Sequence, residues 1–117
     1  MLLELKGCDP EILNDLPLLR TAMLKATEEV GGTVIDHIFH QFNPYGVTGV
    51  VAIAESHLCI HTWPEYGYAA VDIFTCGDSL MPMSAARFLI KQLHVKEHSV
   101  IELKRGVIPQ VVETSRV

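Results

Sequence analysis

Between Ala54 and Gly77 the chain reads AESHLCIHTWPEYGYAAVDIFTCG, and much of its reactive chemistry falls there: Ser56, His57, Cys59, His61, Trp63, Cys76 and the carboxylates of Glu55, Glu65 and Asp72. The stretch holds no lysine or arginine. Neither does the rest of the chain between Lys25 and Arg87, although nine such residues occur in all. His57 and His61 are four apart, a spacing that a helix turns into a zinc-binding pair. Leu58, Ile60 and Thr62 alternate with the polar positions, however, and argue for a strand, in which the two imidazoles stand about 13 Å apart at ~3.3 Å per residue. One zinc needs both nitrogens at about 2 Å, so no metal site is expected. A serine-hydrolase reading fails as well, because Ser56 follows an acid and lacks the Gly-x-Ser-x-Gly turn.

The Leu58–Thr62 strand leads through Pro64 to Gly67 into a second one, Tyr68–Thr75. A hairpin centred on Glu65-Tyr66 pairs residues whose numbers sum to about 131, which sets Ser56 beside Thr75 or Cys76 at the ladder's end. A serine and a thiol then meet at the end of a sheet, with His61 on a neighbouring strand. Ser56 and His61 have opposite parity, so a bend at Glu55-Ser56-His57 is needed to bring them to one face. Strain at that peptide would suit a particular chemistry. Ser56 Oγ can attack the Glu55 carbonyl to form an ester, and loss of the serine α-proton then eliminates that ester and cuts the chain. The dehydroalanine left behind hydrolyses to a pyruvoyl group. This ketone forms a Schiff base with a substrate amine and accepts the electrons released by decarboxylation, the role pyridoxal phosphate plays elsewhere. Pyridoxal phosphate itself would need a lysine here, and there is none.

The elements that must hold these residues follow from periodicity. Leu2 to Lys6 alternates as a short strand. Asp9-Pro10 is a helix start, with Asp9 as N-cap and Glu11 in the first turn. Ile12, Leu13, Leu16, Leu19, Met23, Ala26 and Val30 form an apolar stripe. Pro17 interrupts it, so the helix proper begins near Leu16, and Gly31-Gly32 ends it. From Thr33 the period is two, through the turn Phe42-Asn43-Pro44-Tyr45-Gly46 and into a strand at Val47–Ala54. A second helix starts around Ser79 to Pro82, with Ala85, Phe88, Leu89 and Leu93 inward. Ser99–Leu103 is a last strand, and the tail after Gly106 reads as loosely held. The order β-α-β-β-β-β-α-β predicts an α+β, two-layer sandwich: a mostly antiparallel β-sheet with two helices on one face. The other face must be solvated or covered by a partner.

At 117 residues, 49% hydrophobic and 20% charged, the chain reads as one domain, residues 1–117. A net charge of −5 argues against nucleic acid and anionic membrane and is compatible with a cationic ligand. Neither a signal peptide nor an apolar run of about 20 residues is seen. Cys8, Cys59 and Cys76, odd in number and scattered, point to a reducing cytoplasm.

The run ESHLCIHTWPEYGYAAVDIFTCG at 55–77, preceded by FNPYGVTGVV at 42–51, resembles the prokaryotic S-adenosylmethionine decarboxylases, the short pyruvoyl-dependent class. The likeness extends from LLELKGCDPEILND to the last strand. It implies autocatalytic cleavage between Glu55 and Ser56 into a β chain, 1–55, and an α chain, 56–117, with Ser56 becoming the covalent pyruvoyl group. By the same resemblance His61 is the proton acceptor in processing and Cys76 the proton donor in catalysis. Thr48 stands where many members carry a serine that assists processing. Phe42 and Trp63 match aromatics that hold the adenine and sulfonium, and Glu65 matches the carboxylate that bonds the ribose. Two protomers would pair as (αβ)2, with ligand sites near the interface. A pocket of aromatics and acids without Lys or Arg suits a sulfonium on its own account. The implied activity is that of a carboxy-lyase converting S-adenosylmethionine to the decarboxylated aminopropyl donor for spermidine. A pyruvoyl-dependent arginine or ornithine decarboxylase on the same scaffold is the alternative, and an unprocessed binding paralogue a third reading. Cys8 and Cys59 read as structural, and His37, His40, His94 and His98 carry no assigned role.

Overall fold

The computed structural model describes residues 1–76 and 80–105. Its strands are β1 (Leu2–Lys6), β2 (Val34–Gln41), β3 (Val47–Ile53), β4 (Ser56–Trp63), β5 (Tyr68–Phe74) and β6 (Glu97–Ile101). Helices α1 (Pro10–Leu13), α2 (Leu16–Val30) and α3 (Pro82–Gln92) complete the fold, with a 3-10 turn at Pro64–Tyr66. The strands form one sheet in the order β2-β3-β4-β5-β1-β6, antiparallel at every pairing. This is the α+β sandwich that the periodicity predicts.

Alternation decides which face is core. Val47, Val51 and Ile53 of β3, Leu58 and Ile60 of β4, Val71 and Ile73 of β5, and Leu3 and Leu5 of β1 are buried together with Leu19, Met23, Ala26 and Val30 of α2 and Ala85, Ala86 and Leu89 of α3. Thr48, Val50, Ala52, His57, Cys59, His61, Trp63, Tyr68, Ala70, Asp72 and Phe74 point the other way, partly or fully exposed. No helix covers that second face among the described residues.

The helix proper begins at Leu16 as the stripe predicts, and the start at Asp9-Pro10 opens a separate short helix, α1. Asp9 caps α1, its carboxylate accepting from Glu11 N at 2.9 Å, and Asp15 caps α2, accepting from Leu18 N at 3.1 Å. The second cap lets Pro17 sit in the first turn of α2, where its missing N–H costs nothing. Gly31, with φ 91°, ends α2. The last strand starts two residues earlier than the alternation predicts, because Lys6 and Glu97 are already paired with each other. Ser79 and the tail after Gly106, both part of the sequence reading, lie outside the described residues. Among the described residues no helix is long and apolar enough to cross a membrane.

Candidate active site

The β4–β5 register is the predicted one: His57 faces Phe74 and Trp63 faces Tyr68. One step beyond its end, the Cys76 backbone N–H donates to Ser56 Oγ at 3.1 Å. Ser56 is 9% exposed and Cys76 exposed. Glu55, the second residue of the two-residue connection from β3 to β4, has φ 61°, the left-handed region that costs a non-glycine residue about 1–2 kcal/mol. Backbone strain therefore sits at the residue whose carbonyl precedes Ser56.

The predicted bend over Glu55-Ser56-His57 is confined to Glu55. β4 is regular from Ser56 onward, so Ser56 shares the core side with Leu58 and Ile60, while His61 lies exposed on the open face. Five residues along a strand add about 16 Å between them. His61 is also on the same strand as Ser56 rather than a neighbouring one, so one protomer does not bring the two together. His61 instead meets Thr48, its cross-strand partner on β3, whose Oγ1 lies 3.0 Å from His61 Nδ1.

Phe42, Trp63 and Glu65 do converge. With Tyr45, Gly46, Thr48 and Thr62 they line a cleft of about 340 Å3 that holds no lysine or arginine. Trp63 also packs 5.3 Å from the Tyr68 ring and 6.4 Å from the His61 ring, carrying the aromatic surface from the cleft onto the open face. Tyr68 donates to Glu4, and that bond, with burial and the charges of Glu4 and Asp72, pushes the phenol up to about 12. Burial and then the facing Asp72 raise the Cys59 thiol, and burial raises that of Cys8.

The S-adenosylmethionine decarboxylase family model matches residues 1–106. The chain belongs to that family. Its relatives include the S-adenosylmethionine decarboxylase proenzymes of Thermodesulfovibrio yellowstonii, 52% identical over 92% of this chain and 80% of that one, and Pelotomaculum thermopropionicum, 50% identical over 94% and 87%. Among solved structures it resembles the adenosylmethionine decarboxylase of Aquifex aeolicus VF5, with TM-score 0.85 and 35% identity over 93% of this chain and 90% of that one.

In this S-adenosylmethionine decarboxylase family member the candidate site residues thus form two groups: Ser56 and Cys76 at one end of β4, and Thr48, His61, Phe42, Trp63 and Glu65 towards the other. Seven residues of strand, about 23 Å, separate Ser56 from Trp63. The sequence reading missed Tyr45, which lines the cleft from within the Asn-Pro-Tyr-Gly turn. It also missed the cations that folding returns to the Ser56 end. Lys104 and Arg105 line a hollow with Thr75, and the Arg105 guanidinium lies 4.7 Å from the Phe74 ring centre. A gap in basic residues along the chain does not exclude their approach in space.

Proposed function

We propose that the chain is a proenzyme that cuts itself between Glu55 and Ser56, acquires a pyruvoyl group at residue 56 and decarboxylates S-adenosylmethionine. The observation that carries this reading is the Ser56 hydroxyl, accepting from the Cys76 amide directly after the strained Glu55. That amide favours loss of the Oγ proton by stabilising the alkoxide that then attacks. As Oγ bonds to the Glu55 carbonyl carbon, the C–N bond breaks and the new amine takes a proton, leaving an ester. A base removes the Ser56 α-proton, and the C–O bond breaks to release residues 1–55 with a free Glu55 carboxylate. The dehydroalanine at residue 56 takes up water and loses ammonia. The pyruvoyl group so formed would supply a ketone able to condense with the substrate amine, with loss of water, and to take up the electron pair left by carbon dioxide. Cys76 Sγ is the proton donor to the former α-carbon.

His61, paired with Thr48, is the base, and the two-group geometry supports its being supplied by a second protomer. Two copies packed through their open faces about a two-fold axis bring the Ser56–Cys76 end of one towards the His61, Phe42, Trp63 and Glu65 end of the other. Cleavage frees residue 56 from the turn, so it can swing round the sheet end towards that face. Phe42 and Trp63, 48% and 40% exposed, offer ring faces to adenine and sulfonium, and Glu65 offers its carboxylate to the ribose. Three free thiols suit a cytoplasmic location. Arginine and ornithine are not favoured as substrates, since the relatives are named for S-adenosylmethionine and the aromatic cleft suits a nucleoside.

The test is denaturing mass spectrometry of the purified protein, followed by carbon dioxide release from S-adenosylmethionine, arginine and ornithine. Fragments 1–55 and 56–117, the second with a pyruvoyl terminus, and turnover of S-adenosylmethionine alone are expected. An intact chain that Ser56→Ala leaves unchanged overturns the processing chemistry, and turnover of arginine alone overturns the substrate.

A further inference from the structure

Phe42 and Tyr45 stand on a surface loop, residues 42–46, with no core side chain of their own, and both are exposed. What holds the loop is polar, and part of it comes from a distant stretch of the chain. The Gly46 N–H donates to Asn14 Oδ1 at 2.9 Å, and Gln41 Nε2 donates to the same oxygen at 2.8 Å and to the Gly46 carbonyl at 3.0 Å. The Phe42 N–H closes the loop on that carbonyl at 2.8 Å. Because Gly46 N–H can only donate, the Asn14 atom facing it must be the oxygen, which fixes both amide orientations. No side chain suits position 46, where φ is 111° and a Cβ would lie 3.2 Å from the Thr62 carbonyl.

Asn14 is itself held still. It is the C-cap of α1, its N–H bonded to the Pro10 and Glu11 carbonyls, and Asp15 beside it caps α2. One residue earlier, the Leu13 carbonyl accepts from Thr62 Oγ1 at 2.8 Å, beside Trp63 on β4. The end of α1 therefore grips both walls of the cleft, the 42–46 loop through Asn14 and the start of the Trp63–Glu65 wall through Leu13.

We propose that Asn14 is a positioning residue for the ligand: its Oδ1 holds the 42–46 loop so that Phe42 and Tyr45 stand in the same cleft as Trp63 and Glu65. The proposal rests on the reading of that cleft as the S-adenosylmethionine site. Thr48 keeps its place without Asn14, because the neighbouring Val47 N–H is bonded separately to Thr62 Oγ1 at 2.9 Å. Loss of Asn14 should therefore weaken ligand binding and spare self-cleavage.

The experiment compares Asn14→Ala with Asn14→Asp, which keeps the acceptor oxygen, in the full chain. Three readings are taken: extent of cleavage, KM and kcat for S-adenosylmethionine, and acrylamide quenching of Trp63, the chain's one tryptophan. For Asn14→Ala, wild-type cleavage, a kcat within about twofold, a KM raised about tenfold and easier quenching are expected. Asn14→Asp should match wild type on all three. An unchanged KM in Asn14→Ala, equal damage in both variants, or a fall in kcat together with cleavage overturns the proposal. If wild type fails to turn over S-adenosylmethionine, the functional reading fails instead, and Trp63 quenching alone decides whether Asn14 sets the cleft.

Discussion

Glu55 occupies the left-handed region where glycine is the usual choice, and its carbonyl is the one proposed to be attacked. Replacing it by glycine removes about 1–2 kcal/mol of local strain and returns some of that to the unfolded chain's entropy. In an uncleavable Ser56→Ala background, Glu55→Gly should raise stability by about 0.5–1 kcal/mol in urea titration. In the native background it should slow self-cleavage several-fold, followed as fragment appearance on a denaturing gel. An unchanged rate would separate the strain from the chemistry. Tyr68 offers a pH test. Its phenol, held by Glu4, is raised from 10.0 to about 12, so it favours the fold fully below pH 10 and loses that contribution as pH climbs through 12. Tyrosinate absorbance of wild type minus Tyr68→Phe should show a step near 12. Glu4→Gln should bring that step down.

At the scale of elements, the tie between β3, β4 and α1 is one hydroxyl. Thr62 Oγ1 accepts from Val47 N at 2.9 Å and donates to the Leu13 carbonyl at 2.8 Å, with Thr62 itself 6% exposed. Thr62→Val keeps the volume and strands both partners, so chemical denaturation should show a loss of about 1–3 kcal/mol. An unchanged midpoint would mean that water replaces the hydroxyl. The strands, the register that joins Ser56 to Cys76, and the Asp9 cap were legible in the sequence because each depends on neighbours in the chain or on simple counting across a short turn. The Asn14–Gly46 and Thr62–Leu13 bonds were not. They join positions 32 and 49 residues apart, and no local pattern marks an asparagine at the end of a four-residue helix as the anchor of a distant loop. The face of His61 was legible from parity, but the bend invoked to bring it round to Ser56 is absent, because β4 runs straight from Ser56 and leaves the two on opposite faces.

For the whole molecule, the question is why one chain holds the proposed pieces of a site at opposite ends of a strand. A sheet with one face uncovered among the described residues, carrying Val50, Ala52, Cys59 and Ala70 partly exposed between those ends, is suited to meeting a copy of itself, and the proposed two-fold pairing would complete two sites at once. Complementation distinguishes this from a site built within one chain. Ser56→Ala removes the pyruvoyl precursor, and Trp63→Ala weakens the binding wall. Each variant alone should be inactive or nearly so. Co-expressed, half the dimers formed by random pairing are mixed, and each mixed dimer has one site assembled from the intact Ser56 of one chain and the intact Trp63 of the other. Activity should then recover to about a quarter of wild type, since one site in two is whole in half the dimers. A site contained within one chain predicts no recovery, because every copy carries one lesion. Recovery with Ser56→Ala paired to Cys76→Ala would contradict the arrangement in a different way, since those two residues are joined within one protomer by the Cys76 N–H···Oγ bond and belong to the same half of the site.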